Sequence, residues 1–326
     1  MREIDVATAP EWLKNHGLRG GAPCVRELGG GVSNIVILAE SEQYRIVLKQ
    51  ALGRLRVTEE WCSDRDRIFR EAAAMRWLAP RISAGRIPAL LLEDRTDFTI
   101  AMQAAPREAE MWKTKLFRGE IDAAHARAAG ELLAETIAVS WNDPEARRIF
   151  GDTTVFDQLR IDPYYRFTAR RHPDLAGYFH DLIARSRARA VSLVHGDWSP
   201  KNLLIASDGM WAIDWEVVHF GDPSFDAAFL LNHLLLKSLA MPENRARLAE
   251  LARVFCASLR EKLPPEGRWI MDAALEHLPA LLLARVDGKS PAEYLDAKAA
   301  ERARVLARET MLCPASSVEV FFKSEN

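Results

Sequence analysis

The chain has 326 residues, 48% hydrophobic and 28% charged, with a formal net charge of −2. That length holds two lobes with a core each, and that composition belongs to a folded protein rather than a disordered one. The near-neutral charge gives no field for nucleic acid or an anionic membrane, and no apolar stretch approaches the roughly 20 residues of a membrane span.

The first residues, Met1-Arg2-Glu3-Ile4-Asp5, carry acids and no long apolar run, so no secretory signal is expected. Cys24, Cys62, Cys256 and Cys313 are scattered without metal-ligand spacing, which points to free thiols in a reducing cytoplasm. A short helix is expected over 8–17, with Pro10 tolerated near its start. Strands follow over 24–28, 35–40 and 44–50, the first pair joined by Gly29-Gly30-Gly31 and the second by Ser41-Glu42-Gln43.

The pattern then turns helical over 63–78, where Ile68, Ala72, Met75 and Leu78 share a face and Pro80 closes the run. Two more strands are expected over 87–93 and 98–102. Gln103-Ala104-Ala105-Pro106 breaks the pattern, and beyond it helices dominate over 108–140, 154–190 and from 224 onward. The expected fold is therefore α+β. An N-terminal lobe (1–104) carries a five-stranded antiparallel sheet plus a helix, a hinge lies at about 103–107, and a mainly helical lobe (105–326) contains one short hairpin.

That hairpin region, 192–216, is the most informative stretch. An apolar run enters His195-Gly196-Asp197, Asn202 follows, and two further apolar runs around a Ser-Asp-Gly turn end at Asp214. One acid beside an amide, with a second acid on the next hairpin, is the set that metal-assisted phosphoryl transfer needs. The first carboxylate orients a hydroxyl, and the amide and the second carboxylate hold Mg²⁺ against phosphates.

With these residues in view, the chain resembles the aminoglycoside phosphotransferase, choline kinase and methylthioribose kinase group of small-molecule kinases. These share the two-lobed protein-kinase-like fold, and the resemblance covers roughly residues 20–240. It is carried by His195-Gly196-Asp197 with Asn202, the apolar hairpin, and Ile213-Asp214-Trp215-Glu216. It implies Asp197 as the catalytic base or hydroxyl-orienting acid, Asn202 and Asp214 as metal ligands, and Glu216 as a third acid near the metal. His195 would brace the backbone, and Asp226 would anchor the catalytic loop. The cofactors implied are ATP, or GTP, and Mg²⁺.

The N-terminal lobe supplies the partners the resemblance needs. Gly29-Gly30-Gly31-Val32-Ser33-Asn34 lies between two strands, where backbone N–H groups can cover triphosphate oxygens. Its last position is Asn34 rather than the glycine of protein kinases. Lys49 sits near the end of the third strand, like the lysine that pairs with phosphates. Glu71 is its expected partner, with Glu59 and Glu60 as competitors, and Gln103 to Ala105 would meet the adenine edge.

Two features separate the chain from protein kinases. His195-Gly196-Asp197 lacks the arginine that reads a phosphorylated activation loop, and only residues 215–221 separate Asp214 from Asp222-Pro223, leaving no room for a peptide platform. The expected acceptor is a hydroxyl of a small molecule: aminoglycoside-like, an amino-alcohol or a sugar. Acids and bases nearly balance over 222–326, so no acidic excess singles out a polycationic acceptor. Trp198 and Lys201 in the catalytic loop and Arg285 near the late loop are substrate candidates. The segment Arg160-Ile161-Asp162-Pro163-Tyr164-Tyr165-Arg166 is a further candidate lining. Glu216 and Arg285 incline towards a methylthioribose-kinase-like sugar kinase, whereas Asn202 departs from that pattern. The alternative of another class is a nucleotide-binding pseudokinase that recruits partners.

Overall fold

The computed structural model describes residues 3–18, 20–29, 33–54 and 63–323. Five antiparallel strands, β1 (Cys24–Glu27), β2 (Asn34–Glu40), β3 (Arg45–Ala51), β4 (Leu90–Asp94) and β5 (Thr99–Gln103), form one sheet in the order β1-β2-β3-β5-β4. Both faces of this sheet are covered, which is why β2 and β5 read as nearly continuous apolar runs. Ile35, Ile37, Ile46 and Leu48 pack with Trp12 and Leu13 of the helix Ala9–Asn15. Val47 and Ala51 pack on the opposite face with Ile68, Ala72 and Met75 of the helix Arg67–Leu78. The period of two in β3 therefore commits Lys49, between Val47 and Ala51, to the side of that second helix.

The helix Arg67–Leu78 also joins the two lobes, because Ala74, Trp77 and Leu78 belong to the large core of the helical part. There Ala123–Ser140 packs across Arg245–Lys262, and Ser224–Ala240 packs against Ile270–Asp287. At the first crossing a Cβ on Gly130 would lie 2.1 Å from Ser258 Oγ, so glycine sets how closely those helices approach.

Two small sheets hold the hairpin region. β6 (Glu110–Met111) pairs with β8 (Leu203–Ala206), which pairs with β9 (Gly209–Ala212), while β7 (Ser192–Val194) pairs with β10 (His219–Gly221). Strands β6 and β10 add to the expectation that helices dominate after residue 106 with one short hairpin region at 192–216. They are two and three residues long, too short for any period, and pairing alone defines them. The helix Pro144–Phe150 was likewise not foreseen. Residues Asp157–Arg166 form a π-helix with Pro163 inside it. Proline has no N–H for the ordinary helical ladder, and the wider turn re-aims the side chains around it.

Candidate active site

The parity of β3 and the face of the following helix meet at a single lysine. Lys49 Nζ donates to Glu71 Oε2 at 2.6 Å and is also ion-paired with Asp214. Burial alone would depress the Lys49 ammonium, but Asp214, Glu71 and Glu216 outweigh it and raise its pKa. Asp214 is held well below the usual carboxylate range, because the charges of Lys49 and Lys201 overcome its own burial. Burial drives Glu71 up, and Lys49 opposes that shift. Glu71 is the partner the register selects; Glu59 and Glu60 lie outside the described residues.

Asp214 leaves β9 in the left-handed region, at φ 70° and ψ 55°. Aspartate tolerates that conformation better than most side chains, and such residues cluster where a site imposes them. The Ile213 N–H donates to the Asn202 carbonyl at 3.0 Å, which ties the end of β9 to the end of the loop that starts at His195. Asn202 in turn donates to the Asp197 carbonyl at 3.1 Å.

The loop from His195 to Asn202 is braced from beneath. Asp226, at the start of the helix Ser224–Ala240, accepts the backbone N–H groups of His195 at 2.6 Å and Gly196 at 2.9 Å. Burial pushes its pKa to about 7, and those two donors work against the shift. Gly196 adopts φ 78°, and a Cβ there would lie 2.7 Å from Val217 Cγ1. Burial pushes His195 down to about 4, so its ring is neutral at neutral pH. The Asp197 N–H donates to Nδ1 at 3.1 Å, which leaves the ring proton on Nε2, 3.0 Å from the Ile213 carbonyl. Both ring nitrogens therefore serve the backbone, and neither is free to act as a base.

Asp197 itself is partly open. Arg160, from the π-helix, lies 3.0 Å from Asp197 Oδ2 and donates to the Gly196 carbonyl. Burial would weaken this guanidinium, but Asp197 outweighs it and keeps it charged. The sequence singled out the 160–166 segment as polar lining without assigning Arg160 to Asp197.

Glu216, expected as a third acid near the metal, lies close enough for its charge to help raise Lys49. Its oxygens accept from Arg67 Nε at 3.0 Å, Ser33 Oγ at 2.8 Å and Asn34 Nδ2 at 2.8 Å. Arg67 is fully buried and also donates to the carbonyls of Ser33, Leu52 and Asp64. Glu216 and Arg67 thus latch the end of the glycine loop to the segment after Asp214, a role for Arg67 that no sequence motif indicated. Ser33, expected at the phosphates, donates its hydroxyl to Glu216.

Of the glycine loop, Gly29 is exposed with open space where a Cβ would stand, while Gly30 and Gly31 lie outside the described residues. Gln103 ends β5, and its N–H donates to the Ala89 carbonyl at 2.8 Å; the Ala105 carbonyl accepts from Arg45. Trp198, a substrate candidate, is instead fully buried, with its ring 5.5 Å from His195 and 6.4 Å from Trp215. Lys201 is half-buried in the loop. Arg285 Nη1 reaches Ser290 Oγ at 2.8 Å and the Tyr164 hydroxyl at 3.4 Å. A cavity of about 410 Å³ lined by Tyr44, Ile46, Leu91 and Gln103 shares no residue with the Asp197–Asp214 region.

Asn202 and Asp214 offer hard oxygen donors on joined loop ends. Among the described residues no group of three or more His, Cys, Asp or Glu side chains could hold a metal. That donor set fits Mg²⁺, which keeps several waters and takes one or two protein oxygens together with substrate phosphates.

Residues 25–262 match the Phosphotransferase enzyme family. The chain is 26% identical over 248 residues to methylthioribose kinase of Pectobacterium carotovorum subsp. carotovorum (strain PC1), covering 66% of this chain and 60% of that protein. It spans about 60% of the length of the curated relatives it matches. Among solved structures, the amicoumacin kinase hAmiN in complex with AMP-PNP, Ca²⁺ and Ami matches at a TM-score of 0.58 with 16% identity, covering 95% of each chain. The gentamicin-APH(2")-IIa complex matches at 0.54 with 16% identity, covering 98% of this chain and 99% of the other. Those two likenesses establish the two-lobed α+β fold.

Proposed function

Because the chain belongs to the Phosphotransferase enzyme family, we propose that it is an ATP- and Mg²⁺-dependent kinase that moves the γ-phosphoryl group to a hydroxyl of a small molecule. The observation that carries this reading is the buried Lys49 ammonium bridging Glu71 and Asp214, with the half-open Asp197 on the adjoining loop. Lys49 is kept charged and fixed in place to meet nucleotide phosphates. The hinge at 103–107 divides the nucleotide lobe from the acceptor lobe, and Gln103 to Ala105 line the adenine edge.

Asp197 orients the acceptor hydroxyl and takes its proton as the bond to phosphorus forms. Arg160 fixes the carboxylate from one side, and His195 and Asp226 fix the loop backbone from below. Asn202 and Asp214 would hold the divalent cation, which neutralises charge on the phosphates when bound. Because such transfer is mostly positioning and charge neutralisation, the rigidity of this loop is the protein's main contribution. Relatives named methylthioribose kinase favour a sugar-like hydroxyl over an aminoglycoside.

The test is ATP consumption by the purified protein with Mg²⁺ over a panel of sugars, amino-alcohols and aminoglycosides, with Asp197→Ala as blank. Acceptor-dependent ADP release that disappears in the blank is the expected result. Mg²⁺-ATP that raises the melting temperature but is consumed with no acceptor would leave the nucleotide-binding pseudokinase reading in its place.

A further inference from the structure

The helical lobe carries a second group of charges that the proposed transfer does not use. On the helix Ser224–Ala240, Phe229, His233 and Lys237 recur every four residues and form one stripe. The Phe229 ring lies 5.5 Å from the guanidinium carbon of Arg160, which holds Asp197. Eight residues further on, about 12 Å along a helix axis, Lys237 Nζ stands 5.4 Å from the Phe117 ring and 5.5 Å from the Tyr294 ring. The stripe therefore runs from beside the proposed base over the length of a small metabolite.

Other cations join it. The guanidinium carbon of Arg285 lies 6.0 Å from the Tyr164 ring, whose centroid is 5.8 Å from that of Arg160. Lys113, just after β6, donates its backbone N–H to the Pro200 carbonyl, beside Lys201, at 2.7 Å. Lys113 is depressed by burial and by the charges of Lys201 and Arg285, with Glu293 the opposing acid.

Lys237 and Arg285 lack acidic partners. Lys237 is only 1% exposed, and its hydrogen bond goes to the His233 carbonyl at 3.3 Å. Arg285 bonds to Ser290 and to the Tyr164 hydroxyl. Among the described residues no carboxylate forms an ion pair with Lys113, Lys201, Lys237 or Arg285. Arg285 Nε and the Tyr294 hydroxyl are buried with no hydrogen-bond partner at all. Native proteins rarely leave buried donors and like charges in that condition, because each costs stability. The charge of Lys237 is tuned by its setting: burial, then Lys113 and Arg285, push it down to about 7.

We propose that this wall is the acceptor's anion site, where a carboxylate or phosphate of the hydroxyl compound sits against Lys237, Arg285 and Lys113 while the hydroxyl reaches Asp197. The proposal rests on the kinase reading and deepens it. A cationic acceptor is disfavoured twice. It would meet charges of its own sign, and the ring faces that attract an ammonium, those of Phe117, Tyr294 and Tyr164, already lie against Lys237 and Arg285.

The test measures binding to the full chain by calorimetry at low salt for two matched series. One is D-gluconate, D-sorbitol 6-phosphate, D-sorbitol and D-glucamine; the other is glycerate, glycerol 3-phosphate, glycerol and 3-aminopropane-1,2-diol. In at least one series the better anion binds about tenfold or more tighter than the alcohol, with the amine weakest, and comparing carboxylate with phosphate identifies the group. Lys237→Met, shown folded by its melting curve, brings anion and alcohol to within about threefold, and Lys237→Arg restores much of the difference. An alcohol or amine that binds as tightly as both anions in both series overturns the anion site, whatever the variants do. The kinase reading is tested apart from this, by whether Mg²⁺-ATP shifts the melting temperature and is consumed.

Discussion

The ion-paired floor of the proposed active site, around Lys49 and Asp197, and the wall beyond it treat buried charge in opposite ways. On the floor the buried charges are paired: Asp214 and Glu71 face Lys49, Asp197 faces Arg160, and Glu216 faces Arg67. On the wall Lys237 and Arg285 face rings, a hydroxyl and carbonyls. Paired buried charges fix geometry, since losing either partner strands the other, whereas unpaired ones are a standing cost that a ligand can relieve. The first region is thus organised to hold its shape, and the second to receive something.

The floor should break hardest. Asp197→Ala and Asp214→Ala are each expected to lower kcat by about 10³-fold or more, measured as acceptor-dependent ADP release, because each removes a group that the proposed transfer uses. Arg67→Met tests the same region through stability. It strands the Glu216 carboxylate and the carbonyls of Ser33 and Leu52, at a cost of about 3–5 kcal/mol in urea unfolding. Glu216→Gln keeps hydrogen bonds to Ser33 and Asn34 and should cost less. A near-neutral Arg67→Met would mean that the latch is decoration.

The two regions also differ in how far the sequence reveals them. Asp197, Asn202 and Asp214 are legible because they stand at loop and strand ends of one short apolar hairpin, where local pattern and chemistry coincide. Lys49 and Glu71 are legible through the resemblance, which places a lysine on the strand after the glycine loop and its partner on the helical pattern that follows. Arg67 and Arg160 are not, since their partners lie far along the chain. A faint signal existed for each: a cation opening a helix, against the dipole, for Arg67, and a mixed charged-aromatic segment for Arg160. Trp198 misled because a loop position suggested exposure, and the loop folds inward there. The wall was hidden by arithmetic. Acids and bases balance over 222–326, but a sum along the chain does not say which charges share a surface, and Lys113 and Lys201 come from outside that stretch.

The wall should respond with the opposite sign to the floor. Replacing the unpaired Lys237 by the similarly shaped Met is expected to raise stability by about 1–4 kcal/mol, read by urea unfolding. The gain has a pH signature. With a folded pKa of about 7 against 10.5 for an ordinary lysine, folded and unfolded chains both carry the charge below pH 7, and the folded one bears its full cost. Between pH 7 and 10.5 the folded chain gives up a proton that the unfolded chain keeps, so wild-type stability climbs relative to Lys237→Met. The advantage of the variant is therefore largest below pH 7 and fades towards pH 10.5. His233 beside it is pushed far down by burial and stays neutral in this range. Because Lys113 and Lys237 repel each other, the difference between the two proteins reports their coupled titration. A Lys237→Met protein that is less stable than wild type at pH 6 would show that the wall is structural rather than receptive.

The smallest effect separates pairing from burial. Arg118 meets Glu110 and Glu120 at 2.7 Å each, as close as many contacts of the floor, but its side chain is half exposed and both acids face solvent. Water screens such pairs and hydrates each charge when its partner is lost. Arg118→Ala is accordingly expected to leave the melting temperature unchanged within the error of a thermal scan. If it instead lowered stability as much as Arg67→Met, proximity of opposite charges would matter wherever it occurs. The contrast between floor and wall would then lose its meaning, because burial would no longer explain why an unpaired Lys237 is costly. An unchanged melting temperature leaves burial as the variable that turns a missing partner into a reason to bind one.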